Sequence, residues 1–208
     1  MRSRAVALIL TVFVAGLAAA APAPEPTPPT EVIIYRPRLQ AREMSKRSGY
    51  CWTESIAVNR PGAWRCMEGN SIHDPCFEAA TRKQVICGAD PVKHDDGFLL
   101  ALTRPLPSPQ SRRLKPQPWL IETADGSVCQ VLTGTMAIIN GEAMRYPCSV
   151  SPACGTQTRH EYCGLLNPLH PGKVWSAEKI CFTVAASNGR QSFNVISRKS
   201  VTIRRLWE

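Results

Sequence analysis

Two-residue turn signals set the rhythm of apolar and polar positions along this 208-residue chain. The clearest lies in PWLIETADGSVCQVLT, where Asp125 and Gly126 separate two strand-like runs by the two residues that a type I′ hairpin requires. That spacing sets Trp119 opposite Leu132 and Leu120 opposite Val131, with apolar residues on both faces of a largely covered hairpin. The signal repeats in TMAIINGEAMRY, at Asn140 and Gly141, and in CFTVAASNGRQSFNVIS, at Asn188 and Gly189. Upstream, residues 51–58 and 63–67 flank a turn built from Asn59, Pro61 and Gly62, and the run FLLALT over 98–103 suits a buried strand. Residues 174–186, 191–197 and 201–207 complete the sheet, the last with Thr202 and Arg204 on a wet face. The expected fold is all-β, an antiparallel meander closing toward a small barrel or sandwich.

The N-terminal end departs from this pattern. Arg2 and Arg4 precede an uncharged run over 5–20 that closes on Ala18, Ala19 and Ala20, the layout of a secretory signal peptide cleaved after Ala20. The run is shorter than the roughly 20 residues a membrane span needs, and no later segment is long and apolar enough to cross a bilayer. The expected mature chain is exported, without a transmembrane segment after cleavage. Residues 21–30, APAPEPTPPT, hold five prolines and read as a solvated spacer, 31–35 suits a short strand, and RPRLQAREMSKR over 36–47 adds five basic residues. The layout is therefore a signal peptide over 1–20, a Pro-rich and basic disordered tether over 21–48, and a single disulfide-rich β domain over 49–208, read as a monomer.

Nine cysteines follow the leader, four of them within the 37 residues from Cys51 to Cys87. Such density suits a cross-linked fold in an oxidising compartment. A hairpin centred between Val58 and Asn59 sets Cys51 against Cys66, within the ~7 Å between Cα atoms that a bridge tolerates. Beyond that hairpin Gly69, Asn70, Asp74 and Pro75 mark a loop, and Cys76 with Cys87 is the next expected pair. Cys148 falls opposite Thr133, roughly 13 Å along a straight strand from Cys129. Those two bond only if the chain bends at Gly134, a bend that also lets one strand serve two hairpins. SPACGTQTRHEYCGLLNPLHPG reads as an irregular excursion in which Cys154 and Cys163 bond to each other. Cys181, inside an apolar strand, is left as the odd thiol.

Charge adds a preference among partners. Loss of Arg2 and Arg4 lowers the formal charge from +9 by two, to +7, which favours anionic cell-wall polymers or lipid headgroups and, in an exported chain, not nucleic acid. Five prolines alternate with Arg112, Arg113 and Lys115 in an exposed basic loop over 104–118. Trp52 and Trp64, on adjoining arms of the first hairpin, form a carbohydrate-stacking platform if exposed and cover the disulfide if not. Trp119, Trp175 and Trp207 read as core or sheet-edge packing.

Candidate chemistry is sparse. Cys181 with His73, His94, His160 or His170 carries no local catalytic signature, and a buried inert thiol is the simpler expectation. Cys154, His160 and Cys163 would suit zinc only as thiolates, which bridging removes. His94, Asp95 and Asp96 read as a solvated turn before Phe98, and Asp74, following His73 and preceding Pro75, as a turn starter. HExxH, GxSxG and Gly-rich phosphate loops are absent, so no cofactor, metal or catalytic residue is expected.

The segments CWTESI, RPGAWRC, GNSIHDPCF, PWLIETADGSVC, PGKVW and IRRLWE together resemble an uncharacterised group of exported proteins from actinobacteria and related bacteria. The resemblance spans most of 51–208 and implies one exported unit and no reaction. Cys154, Cys163 and Cys181 are additional to that group's usual set, so it implies nothing about their pairing. The expected function is that of a non-catalytic β domain, secreted or cell-envelope associated, that binds an envelope or extracellular partner whose identity the sequence leaves open, with an anionic cell-wall polymer or a protein as the candidates. Its rivals are a cell-envelope hydrolase with dispersed residues around His94 and Asp96, and a secreted inhibitor presenting the 104–118 loop.

Overall fold

A computed structural model describes residues 26–37, 46–95, 97–109, 117–149, 154, 161–187 and 190–208. Strands β2 (Lys46–Glu54), β3 (Ala63–Glu68), β4 (Ser71–Glu78), β5 (Gln84–Cys87) and β6 (Phe98–Leu102) form an antiparallel meander. Parallel pairing of β2 with β6 closes it into a five-stranded barrel. A second sheet follows, from β7 (Leu120–Thr123), β8 (Val128–Gln130), β9 (Ala137–Ile139), β10 (Glu142–Cys148), β11 (Glu161–Leu166), β12 (Ser176–Ser187) and β13 (Arg190–Trp207). Because β7 pairs with β13 as well as β8, this sheet also returns on itself. The fold is all-β and disulfide-stapled, but its strands close in two places where the turn pattern predicts one. Among the described residues no helix is long and apolar enough to cross a membrane.

One core joins the two sheets. Ala57, Val58, Ala63 and Phe77 of the barrel pack with Trp119, Ile121, Tyr146, Leu165, Ile203, Leu206 and Trp207 of the second sheet. Within the tether expected over 21–48, residues 46–48 already belong to β2 and residues 31–33 form a strand of their own. Strand β1 (Glu31–Ile33) pairs in parallel with Arg205–Trp207, and Thr30 Oγ1 donates to the Ile203 carbonyl at 2.6 Å. Tyr35 then packs with its ring 5.6 Å from Phe77 and 5.8 Å from Trp119, which ties the segment to both sheets. The signal peptide expected over 1–20 lies outside the described residues.

Several registers depart from the turn-based reading. The Asp125-Gly126 hairpin pairs Leu120 with Gln130 and Ile121 with Cys129, one residue off the predicted pairing. Gly126 adopts φ +80° and its N–H donates to Thr123, so the connection has three residues instead of two. A one-residue slip exchanges faces, and it turns Cys129 into the core. At Asn140-Gly141 both residues take positive φ and Ile139 pairs with Glu142, the two-residue turn that the sequence predicts. Asn188 and Gly189 lie outside the described residues, but Ser187 pairs with Arg190, which leaves two residues between them. Pairing runs on to Thr202 opposite Ser176, so the two expected final strands are one 18-residue strand. The loop expected at Gly69, Asn70, Asp74 and Pro75 is only a tight turn, because residues 71–78 form β4; its ladder with β3 shifts between Cys76 and His73, and this irregularity accommodates Pro75.

Three bridges match the expected pairs: Cys51–Cys66, Cys76–Cys87 and Cys129–Cys148. Gly134 sits in a bend between β8 and β9, which lets β10 pair with β9 near its start and with β8 at Cys148. The fourth pairing is a correction. Cys154 bridges Cys181, and the thiol belongs to Cys163. The physical reason is that the second half of the supposed excursion is a strand: β11 is hydrogen-bonded to β10 on one side and β12 on the other, which fixes Cys163 in the ladder.

Candidate functional site

The two tryptophans of the first hairpin lie on opposite faces of the barrel wall. Trp64 is 2% exposed and packs inside among Cys51, Cys66, Cys76, Cys87, Val85 and Leu100, with Nε1 donating to Glu78 at 3.1 Å. Trp64 is thus a core residue and not part of a binding platform. Trp52 is 37% exposed on the outside. The sulfurs of Cys66, Cys76 and Cys87 lie within 4.8 Å of one another, but each is in a bridge, so they fill the barrel as apolar bulk and offer no thiolate to a metal.

Outside the barrel, Tyr50 and Trp52 form an aromatic pair with ring centroids 6.5 Å apart. The Arg104 guanidinium lies 3.7 Å above the Tyr50 ring, and that of Arg65 lies 5.5 Å from Trp52. Tyr50 is held from below by its hydroxyl, 3.4 Å from the Met67 sulfur. Arg65 is already engaged, by the Thr133 carbonyl at 3.4 Å and the Asp74 carboxylate at 4.0 Å. Arg104 is exposed, and no carboxylate pairs with it among the described residues. Further along the surface, Arg47 lies 4.0 Å above Phe98 and pairs with Glu68 at 3.2 Å, while His73 Nε2 is 3.1 Å from the same carboxylate. Sequence reasoning found Trp52 but missed Tyr50 and Arg104. The available signal was the alternation of Tyr50, Cys51 and Trp52, which sets both aromatics on the face opposite the inward cysteine.

Two polar clusters resemble catalytic groups and are built as clasps. At the first, Ser55 Oγ donates to Asp74 at 2.5 Å and accepts from the N–H groups of Ala57 and Val58 at 3.1 and 2.9 Å. Burial raises the Asp74 carboxyl above its ordinary value, against the opposing pull of Ser55, the Ile56 N–H and Arg65. With its proton and lone pairs committed, the serine fixes the turn after β2. In the second cluster, Lys179 Nζ is fully buried and donates to Ser127 Oγ at 2.5 Å and Asp125 at 3.0 Å. Burial alone would raise the Asp125 carboxyl, but hydrogen bonds from Thr123, Lys179 and Ser127 hold it well below the usual carboxylate range. A serine–lysine nucleophile needs an unengaged amine and an open hydroxyl, whereas here the amine is tied to Asp125 and Ser127 is fully buried. The cluster pins the β7–β8 hairpin to β12.

The remaining candidates are spread over the surface. His94 is exposed at φ +55° in a turn where Asp90 accepts from Val92 and Lys93 and Asp95 accepts from Gly97. Its expected partner Asp96 lies outside the described residues, as do His160, Arg112, Arg113 and Lys115. The described start of the 104–118 loop turns back on the barrel: Leu106 packs on its core, and residues 105–109 line a cleft of about 320 Å³ with Trp64, Glu78 and Arg82. At the far end, the Pro118 carbonyl accepts from Tyr146, whose hydroxyl is pushed up to about 12 by burial. No protein-family model, curated protein or solved structure matches this chain.

Proposed function

We propose that this chain is an exported, non-catalytic binding domain, secreted or held at the cell envelope, whose contact face is the outer barrel surface around Tyr50 and Trp52. Its partner is an anionic cell-wall polymer. The observation that carries the reading is Arg104, stacked 3.7 Å above Tyr50 with no carboxylate paired to it among the described residues. A guanidinium held by a ring keeps its donor edge free for phosphate or carboxylate oxygens, and the neighbouring aromatic face suits the apolar side of a sugar ring. The formal charge of the mature chain, +9 less the two of Arg2 and Arg4, or +7, favours anionic partners. Four bridges and a leader-like first 20 residues fit an oxidising compartment.

Binding of the purified protein to a phosphodiester-linked wall glycopolymer, with neutral dextran as control, tests this by calorimetry. The expected result is binding to the charged polymer alone, weakening as salt rises, and a loss of about tenfold in each of Arg104→Ala and Trp52→Ala. Equal binding to dextran, or unchanged affinity in Arg104→Ala, defeats the assignment.

A further inference from the structure

Sulfur in the second sheet lies along one cross-strand row. Cys129 stands opposite Cys148, Cys148 opposite Cys163, and Cys163 opposite Cys181. Elsewhere, opposed cysteines on neighbouring strands are bridged, at Cys51–Cys66, Cys76–Cys87 and Cys129–Cys148. Cys163 and Cys181 stand in the same relation, yet Cys181 is bridged to Cys154, which belongs to none of the strands. Cys154, Cys163 and Cys181 pack as one buried cluster edged by Cys148.

We propose that Cys181 is a shared sulfur: an internal exchange passes it from Cys154 to Cys163, and the odd thiol moves to Cys154, where the protein then takes a mixed disulfide. The Cys163 thiol, which donates to the Ser149 carbonyl at 3.2 Å in the resting arrangement, loses its proton to water, and its sulfur attacks that of Cys181. The Cys163–Cys181 bond forms, the Cys154–Cys181 bond breaks, and Cys154 leaves as a thiolate and takes up a proton. One disulfide and one thiol stand on each side, so no oxidant is consumed. In the second step the Cys154 thiolate attacks an external disulfide, forming one mixed S–S bond and releasing one small thiol.

Chain connectivity leaves the two pairings close. The bridge from Cys154 spans 27 residues and that from Cys163 would span 181 − 163, or 18, a loop-closure difference worth only about twofold in the equilibrium between them. Attack on the other neighbour, Cys148, is disfavoured because it would expel Cys129, which is fully buried in the main core against apolar side chains where a thiolate is costly. Cys154 lies instead outside the strands, in the small sulfur cluster apart from the main core.

The test uses the native oxidised protein incubated with glutathione disulfide at neutral pH, quenched in acid and mapped by non-reducing peptide mass spectrometry. The expected product carries glutathione on Cys154 and a Cys163–Cys181 bridge in the same molecules. Glutathione on Cys163 with Cys154–Cys181 retained, a Cys148–Cys163 bridge, or no adduct at all overturns the proposal. Two variants sharpen it: Cys154→Ser should bridge Cys163 to Cys181 and have no alkylatable thiol, and Cys163→Ser should keep Cys154–Cys181 and lose adduct formation. If either variant fails to fold, the wild-type map alone decides.

Discussion

Asp125→Asn offers the sharpest probe of how the second sheet is held. Lys179 is fully buried, and its charge is balanced by Asp125 at 3.0 Å, with Ser127 as a second acceptor. Removing one member of a buried ion pair costs ~3–5 kcal/mol, because the other charge stays buried without compensation. The amide oxygen of the substituted side chain and Ser127 Oγ can still accept from the ammonium, which sets the expectation at the lower end, about 3 kcal/mol, or roughly 6–12 °C in melting temperature for a chain of this size. Lys179→Met removes the buried charge itself. It leaves Asp125 paired with Lys199 at 3.4 Å and bonded to Thr123, and it should cost less, about 1–2 kcal/mol, mainly from the lost partner of Ser127. In the Lys179→Met background the further change Asp125→Asn should cost under ~1 kcal/mol, a coupling that a double-mutant cycle reads directly. Equilibrium urea unfolding with the bridges intact supplies the four free energies. The carboxyl is lower in the folded than in the unfolded chain, so its contribution is fully present above its ordinary value of 3.8 and fades as pH falls through the folded value. Asp125→Asn should lack that acid-side loss. A Lys179→Met variant less stable than Asp125→Asn, or additive single effects, would refute the reasoning.

Asp74 has the opposite sign: its folded carboxyl is raised, so its contribution is present at acid pH and lost as pH rises from 3.8 through the folded value. The stability difference between wild type and Asp74→Asn should therefore move against wild type across that window, as unfolding titrations at stepped pH would show. Trp64→Ala should cost ~3–5 kcal/mol and Trp52→Ala stay within ~1 kcal/mol, because one ring fills the sulfur-rich barrel core and the other covers its surface; thermal melts separate them. A Cβ at Gly49 would meet the Met67 carbonyl oxygen at 2.1 Å, so Gly49→Ala should destabilise by at least ~1–3 kcal/mol, whereas Gly134→Ala enters open space and should be nearly silent in the same melt.

The parts of this fold legible in the sequence are those fixed by local chemistry. Asn140-Gly141 specifies its turn because both residues tolerate positive φ, and the Cys51–Cys66 bridge follows from a hairpin whose turn residues are unambiguous. Pairings set by distant partners are not legible. Asp125-Gly126 carries the signature of a two-residue turn, yet Gly126 takes the bulge position of a longer one, and Lys179 from a distant strand fastens the result. Residues 161–166 look irregular in sequence because their neighbours supply the order: β11 is a strand only between β10 and β12. That is why the Cys154–Cys163 pairing, plausible from a nine-residue spacing, gives way to Cys154–Cys181. The proposed contact face follows the same division. Trp52 is visible as an aromatic near a turn, but the stacking of Arg104 on Tyr50 joins residues 54 positions apart that only barrel closure brings together.

The most direct test of a sulfur-clamped pair of closed sheets is a cysteine count on protein purified without reductant, unfolded in acid-quenched denaturant and alkylated before and after reduction. One alkylated cysteine before reduction and nine after is the expected outcome, together with loss of cooperative unfolding once the bridges are opened. Three or more alkylated cysteines before reduction, or an unchanged melt after it, would contradict the account.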